Sequence, residues 1–150
     1  MRKPVSHIFH GRNIFTPAAA YLSKGVKIEE FGKKLNPKNL VKAPYDEAVM
    51  QNSQFNAKII SINKFGSLHL NIMHKEWDKL KIKIGDFVEF THKNNSIKIQ
   101  HGSTFGDVEK GKPLILKDDY GRIELAINME NFSKKYNAEI GDNCIIKKSN

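Results

Sequence analysis

From residue 55 to the end of the chain, apolar side chains recur at every second position in short runs. Ile60 and Ile62 form one such run, and Leu68, Leu70 and Ile72 a second. Phe87-Val88-Glu89-Phe90, Ile97 with Ile99, Leu114-Ile115-Leu116, Ile123-Glu124-Leu125-Ala126-Ile127 and Cys144-Ile145-Ile146 follow. A period of two puts one set of side chains on one face of a strand, and that face needs a core. Turn residues separate the runs: Phe65-Gly66-Ser67, Lys93-Asn94-Asn95 and Asp118-Asp119-Tyr120-Gly121. Many short strands with turns about every 8–12 residues predict a mainly β domain, a small antiparallel β-barrel or sandwich over 55–150. Two short helices are expected inside it, at Lys75–Leu80 and Glu130–Asn137. The tripeptide Ile84-Gly85-Asp86 recurs as Ile140-Gly141-Asp142, each time before a strand.

The first 25 residues follow a different pattern. Val5–Phe9 reads as a short strand end and His10-Gly11-Arg12-Asn13 as a polar turn. Thr16-Pro17 then opens a helix of about two turns, with Thr16 as cap and Pro17 at the first helical position. Gly25 is its left-handed stop. Two turns cannot hold a core alone, so this strand-turn-helix must pack on something else, and its apolar face makes the isolated chain prone to aggregate. Residues 26–54 have little periodicity and three polar or Pro-containing stretches, which predicts a linker.

Composition narrows the function classes. The formal net charge is +9, which invites nucleic acid as a partner. The 25 basic residues are 22 Lys and three Arg (Arg2, Arg12, Arg122), spread along the chain. Base readout and bidentate phosphate contacts use Arg forks, so a solvated Lys surface is the favoured reading. A single cysteine, Cys144, allows no internal disulfide and sits in a strand-like run, as a buried structural thiol would. No apolar run is long enough to span a bilayer, and the basic start Met1-Arg2-Lys3-Pro4 has no signal-peptide core behind it. A soluble cytoplasmic protein is expected. His7 and His10 have a spacing that could hold a metal, but no third ligand follows, so no metal is expected. His69, His74, His92 and His101 are scattered and read as surface residues.

Three stretches, in order, carry a resemblance. Phe9-His10-Gly11-Arg12-Asn13-Ile14-Phe15-Thr16-Pro17-Ala18-Ala19 is similar to the Phe-His-Gly-Arg-Asp-(Ile/Val)-Phe-Ala-Pro-Ala-Ala signature of the S-adenosyl-L-methionine (SAM) hydroxide adenosyltransferases. Ile62-Asn63-Lys64-Phe65-Gly66-Ser67-Leu68-His69-Leu70-Asn71-Ile72 resembles the family's Ile-Asp-x-Phe-Gly-Asn-Leu-x-Thr-Asn-Ile. Thr104-Phe105-Gly106-Asp107, Asp119–Asn128 and Ile140-Gly141-Asp142 look like its Ser-x-Gly-x-Leu-Glu-Ile-Ala region and closing Gly-Asp. Only the C-terminal part of such a protein is covered.

The resemblance implies hydrolysis of SAM to adenosine and L-methionine by water, without a cofactor, in a trimer whose substrate lies between an N-terminal α/β domain and a neighbour's barrel. Residues 1–25 would be the tail end of that α/β domain. His10 matches a water-positioning histidine and Phe9 an aromatic beside it. Asn63, Phe65, Ser67, Asn71, Phe105, Asp119, Tyr120, Glu124 and Asn128 match positions lining or supporting the adenosyl pocket. The His-Gly-Arg turn resembles the hydroxide-using branch rather than the halogenating relatives. A sulfonium loses a neutral thioether, so the chemistry needs an oriented water more than a metal or a leaving-group acid.

The departures are specific. Asn13 and Asn63 stand where the family has Asp, Ser67 where it has Asn, and Asp119 where Ser is usual. Asn63 removes a charge partner for the substrate's ammonium. The Asp-rich N-terminal segments, which would supply His10 with its Asp and Arg partners, are not in these 150 residues. Three readings therefore compete. The chain is the C-terminal portion of a SAM hydrolase, assembled as a homotrimer or with a complementary N-terminal-half chain; or a degenerate module binding an adenosyl ligand or a partner without catalysis; or a basic small barrel binding nucleic acid.

Overall fold

In the computed structural model, residues 3–149 are described; the basic start read at Met1-Arg2 lies outside them. A short strand β1 (Met50–Gln51) precedes those the alternating runs form: β2 (Gln54–Ile62), β3 (Leu68–Met73), β4 (Phe87–His92), β5 (Asn95–His101), β6 (Pro113–Lys117), β7 (Arg122–Ile127) and β8 (Asn143–Lys148). They hydrogen-bond in the order β1-β2-β3-β7-β6-β5-β4-β8. A further ladder between β2 and β8, from Gln54↔Lys147 to Lys58↔Asn143, closes seven of them into a barrel with β1 as a flanking strand. Closure removes the open edges that would otherwise seek a partner.

Period two decides what goes inside. Leu68, Leu70 and Ile72 of β3 and Ile123, Leu125 and Ile127 of β7 all point into one core with Phe55, Val88, Phe90, Ile99, Ile115 and Ile146. The two short helices close it. α2 (His74–Trp77) brings in Trp77, stacked on Phe55 at 6.4 Å. α3 (Phe132–Tyr136) brings in Phe132, edge-on to Phe90 at 5.8 Å. Truncating either aromatic would cost about 3–5 kcal/mol. The unbroken run Leu114-Ile115-Leu116 is buried on both faces. Ile115 joins the main core, while Leu114, Leu116 and Ala126 pack with Val108 of the loop outside the wall.

One seam departs from the expected antiparallel pattern. β5 and β6 are parallel, through Gln100↔Leu114 and His101↔Ile115. The 102–112 loop between them, with its 3-10 turn Phe105–Asp107, returns the chain to the end it left. Alternation shows which side chains face inward but not which way a neighbour runs.

The repeated tripeptide makes one turn twice. Gly85 N–H donates to His101 C=O, whose own N–H donates to Asp86 C=O, both at 2.8 Å. Gly141 and Asp142 bracket Ile59 in the same way, at 2.8 and 2.9 Å. The Asp carboxylates accept from the backbone N–H three residues earlier, Lys83 and Glu139, at 2.9 and 3.0 Å. Both glycines lie at positive φ, +92° and +97°, where a Cβ would be strained.

The chain divides into two compact units, Met1–Lys42 and Ala43–Asn150. The barrel unit therefore begins within the stretch read as a 26–54 linker. Asn71 binds the Asp46 carbonyl and the Ala48 N–H, Glu47 pairs with Arg122, and β1 pairs with β2. These contacts are polar, so no hydrophobic period announced them. In the first unit, Val5–Phe9 forms no strand. The helix starts at His10, already at φ −61° and ψ −34°, and runs through a π-turn, Gly11–Phe15, into α1 (Thr16–Ser23). Thr16 is inside this helix and gives its N–H to Gly11 C=O instead of capping. The stop at Gly25 is as expected: Gly25 N–H reaches Leu22 C=O at 2.9 Å and Val26 N–H reaches Tyr21 C=O at 3.1 Å. No residue of α1 is buried.

Candidate functional site

The loop between β2 and β3 is built on Asn63. Its side-chain Oδ1 accepts from the N–H of Phe65 (2.9 Å) and of Ser67 (3.1 Å), and its Nδ2 donates to Glu124 Oε1 at 3.4 Å. Asn63 N–H and C=O close the same turn with Ser67 C=O and Gly66 N–H, at 3.1 and 2.9 Å. A short amide that mimics a backbone turn is a common use of Asn at such positions. Gly66 is pressed against the Asn131 side chain, which leaves no room for a Cβ. Asn131 in turn caps α3 by accepting from Lys134 N–H at 2.7 Å. The loop is thus braced from β7 and from α3, and it holds Phe65 out: that ring is 69% exposed, with the Lys64 ammonium 5.0 Å from its centre. Ser67 is buried at the foot of the loop.

Glu124 sits on the outer side of β7, buried, directly across from His69 of β3 and Leu116 of β6. His69 Nδ1 hydrogen-bonds Asp118 Oδ2 at 2.8 Å. The other Asp118 oxygen accepts from Tyr120 N–H (2.9 Å) and Arg122 N–H (2.7 Å). Burial works to raise the Asp118 pKa. The hydrogen bonds from Arg122 N–H, the His69 ring and Tyr120 N–H outweigh it, so the carboxyl lies below its ordinary value. Asp119 and Tyr120 lie exposed at the tip of this turn, Tyr120 by 84%. One patch of the barrel therefore gathers Asn63, Phe65, Ser67 and Glu124, with the turn of Asp119 and Tyr120 joined to it through Asp118 and His69.

The other expected residues are placed elsewhere. Asn71 is spent on structure: its Oδ1 accepts from Lys58 N–H and its Nδ2 donates to Asp46 C=O, both at 2.7 Å. Asn128 ties down the 102–112 loop through Nδ2 to Val108 C=O at 2.8 Å. Phe105 is half-exposed in that loop, which Asp107 folds by accepting from Ser103 N–H, Thr104 N–H and the Thr104 hydroxyl. Phe9 and His10 belong to the other compact unit, both exposed, with the Arg12 guanidinium 5.0 Å over the Phe9 ring. Asn13 there is buried and accepts from Arg12 Nε at 3.2 Å.

Sequence reasoning missed His69, Asp118 and Arg122. Arg122 forms a two-pronged pair with Glu47, at 2.6 and 2.8 Å, and lies over the Tyr45 ring. His69 and Asp118 are 49 residues apart, so spacing could not link them. The available signal was that His69 falls on the outer face between Leu68 and Leu70, opposite Glu124.

Comparison with known proteins places the barrel in a family. Residues 57–145 match the SAM hydroxide adenosyltransferase C-terminal domain. The chain is 28% identical over 124 residues to an (R)-S-adenosyl-L-methionine hydrolase of Salinispora tropica, covering 83% of this chain and 44% of that protein. It is 27% identical over 125 residues to the hydrolase of the same name from Thermus thermophilus, covering 83% of this chain and 43% of that one. The chain thus spans less than half the length of these relatives. A crystal structure of an uncharacterized conserved protein from Thermotoga maritima superimposes with a TM-score of 0.69 at 29% identity, over 98% of this chain and 55% of that one. With more than half of its residues inside the matched domain, this chain belongs to the SAM hydroxide adenosyltransferase family through its C-terminal domain.

Proposed function

We propose that these 150 residues are the C-terminal portion of an enzyme that hydrolyses SAM to adenosine and L-methionine. The observation that carries the reading is the family match over 57–145 together with the braced loop that holds Phe65 out and is tied to Glu124 through Asn63. An exposed aromatic held by a rigid turn suits a purine face or a sulfonium cation. In this reading Phe65 and Tyr120 meet the adenosyl group, and the His10 of a neighbouring copy orients the water that attacks the ribose C5′. The electron pair of the breaking C–S bond stays on sulfur, giving neutral methionine thioether. The water loses its proton and becomes the 5′-hydroxyl of adenosine.

Catalysis in this reading also needs what the unmatched part of the relatives' length supplies: partners for His10 and a carboxylate for the ribose diol. That part comes from a complementary polypeptide segment, and the assembled enzyme is a cytoplasmic trimer. A chimera tests it, with these 150 residues replacing the matched segment of the Thermus thermophilus hydrolase. Equimolar release of adenosine and methionine from SAM is the expected result. A soluble, folded chimera that neither binds nor hydrolyses SAM overturns the reading.

A second reading is favoured by one observation. The Asn63 amide is hydrogen-bonded to its own loop and to Glu124 of β7, and it offers no charge to a ligand. A module that holds an adenosyl ligand without turnover would show calorimetric binding of SAM to the same chimera and no product.

A further inference from the structure

A groove of about 500 Å³ lies where the 3-10 turn Asp78–Leu80, the stretch before β4, the end of β5 and Lys117 of β6 meet. It shares no residue with the patch around Asn63 and Glu124. Ile82 and Ile84 give it apolar walls, Ile84 with 58% of its surface exposed. At the rim the Lys117 ammonium holds the Asp78 carboxylate at 2.6 Å, so one charge offsets the other. His101 is the buried lining residue, 5% exposed, with its ring edge-on to Trp77 at 5.5 Å.

The His101 ring is fixed and leaves one polar atom unused. Its backbone N–H and C=O are both taken by the Gly85-Asp86 turn. Its Nδ1 is 3.1 Å from Lys83 C=O, and a carbonyl only accepts, so Nδ1 carries a proton. Burial, joined by the Lys117 charge, holds the ring's pKa below its ordinary value, against that hydrogen bond and the Asp86 and Asp78 carboxylates. The imidazole is therefore neutral at pH 7, and Nε2 presents a lone pair. Among the described residues nothing hydrogen-bonds Nε2. Among those same residues the fully buried, unpartnered side-chain nitrogens are Trp77 Nε1 and His92 Nδ1, so His101 Nε2 reaches solvent, and the groove is what its ring lines.

We propose that this groove binds a neutral aromatic molecule carrying an O–H or N–H donor, phenol being the simplest, with the donor on His101 Nε2 and the ring against Ile82 and Ile84. A buried acceptor without a donor favours a ligand that brings one, and the walls favour an apolar body. A charged ligand would lose its hydration beside Ile82 and Ile84 and would have to compete with the Asp78–Lys117 pair. Phenol binding here neither requires nor excludes SAM binding at the Asn63 patch.

The test titrates the full chain, labelled with 15N-histidine, with phenol, toluene and benzoate, and reads the His101 ring by long-range 1H–15N correlation. Phenol should move Nε2 upfield, as an accepted hydrogen bond does, with a dissociation constant of about 1 mM or tighter. Toluene, which lacks the donor, should bind about fivefold more weakly and leave Nε2 in place. His101→Phe fills the same space without the acceptor and should bring phenol to the toluene level. Ile84→Asp changes an exposed side chain, keeps the fold, and should weaken phenol about tenfold, which decides the matter even where His101→Phe fails to fold. An Nε2 signal that stays put while phenol rises to about 20 mM overturns the proposal. So does toluene or benzoate binding as tightly as phenol, or phenol binding that Ile84→Asp leaves unchanged.

Discussion

Replacing Asn71 by alanine should cost the barrel about 3 kcal/mol. Strand β2 pairs with β8 up to Lys58 and with β3 from Ile59, with a register shift after it. At that handover the N–H of Lys58 goes to Asn71 Oδ1 at 2.7 Å, and Asn71 Nδ2 reaches Asp46 C=O at the same distance. Asn71 is only 7% exposed. The Asp46 carbonyl lies on an exposed residue and can return to water, so its loss is worth about 1 kcal/mol; the Lys58 N–H stays in the wall without a partner, about 2 kcal/mol more. The assay is urea unfolding followed by Trp77, the protein's one tryptophan, which is 1% exposed and reports the barrel alone. With a slope of about 2 kcal/mol/M, the midpoint should fall by about 1.5 M. Asn71→Asp separates the two bonds. It keeps the acceptor for Lys58 but sets an oxygen against the Asp46 carbonyl. It should be weaker than wild type at pH 7, and the gap should narrow below about pH 4, as the carboxyl gains a proton. A loss under about 1 kcal/mol for Asn71→Ala, or an Asn71→Asp deficit that ignores pH, refutes the reasoning.

Two further outcomes follow from the β8 end of the barrel. Asp142 accepts from Glu139 N–H, from His92 Nε2 and from Lys93 Nζ, and these donors hold its pKa down to about 2 against the effect of burial. A depressed carboxyl stabilises above its unfolded pKa of about 3.9 and loses that stability as pH falls toward 2. The urea midpoint of wild type should therefore exceed that of Asp142→Asn at pH 6, with the difference shrinking between pH 4 and pH 2; a difference constant over that range contradicts it. Burial, aided by the Asp142 charge, pushes the Cys144 thiol up to about 12. The thiolate fraction at pH 8 is then about one in ten thousand, so a disulfide reagent should leave native protein unmodified and titrate one thiol once guanidinium unfolds it. Stoichiometric reaction of the native protein within minutes contradicts burial of Cys144.

The barrel was legible because its information is local. The alternations Leu68 to Ile72 and Ile123 to Ile127 state a strand and its inward face, and each turn fell where Gly and Asn stood; the run Ile60 with Ile62 does not, because β2 turns Phe55, Ala57 and Ile59 inward before its register shifts. The parts that were not legible depend on distant partners. Nothing near Gln100 or Leu114 states that their strands run parallel. Residues 43–49 looked like linker because the barrel holds them with the amide of Asn71 and the guanidinium of Arg122, which leave no apolar period. Thr16 looked like a cap because Thr-Pro commonly opens helices. Here the helical backbone already holds from His10, so the hydroxyl arrives a turn too late to cap.

The candidate site shows the same division more sharply. Asn63, Phe65 and Ser67 were found as a motif, yet the motif alone does not distinguish a residue that touches a ligand from one that builds the loop. The distances do. Both Asn63 side-chain atoms are used within the protein, so an Asn here gives up a charge and gains a rigid turn that a carboxylate, lacking an N–H for Glu124, would not make in the same way. Two carboxylates, at 63 and at 124, would repel across that 3.4 Å contact. Asn63 therefore spares Glu124, buried across the ladder from His69, a second carboxylate at that contact. The substitution that looks like a loss at one position gives β7 a hydrogen-bonded partner for Glu124, and Asp118 fixes the orientation of the His69 ring across the ladder from it. Residue-by-residue comparison with a motif counts the first change and misses the second, because the compensating groups lie in different strands and turns.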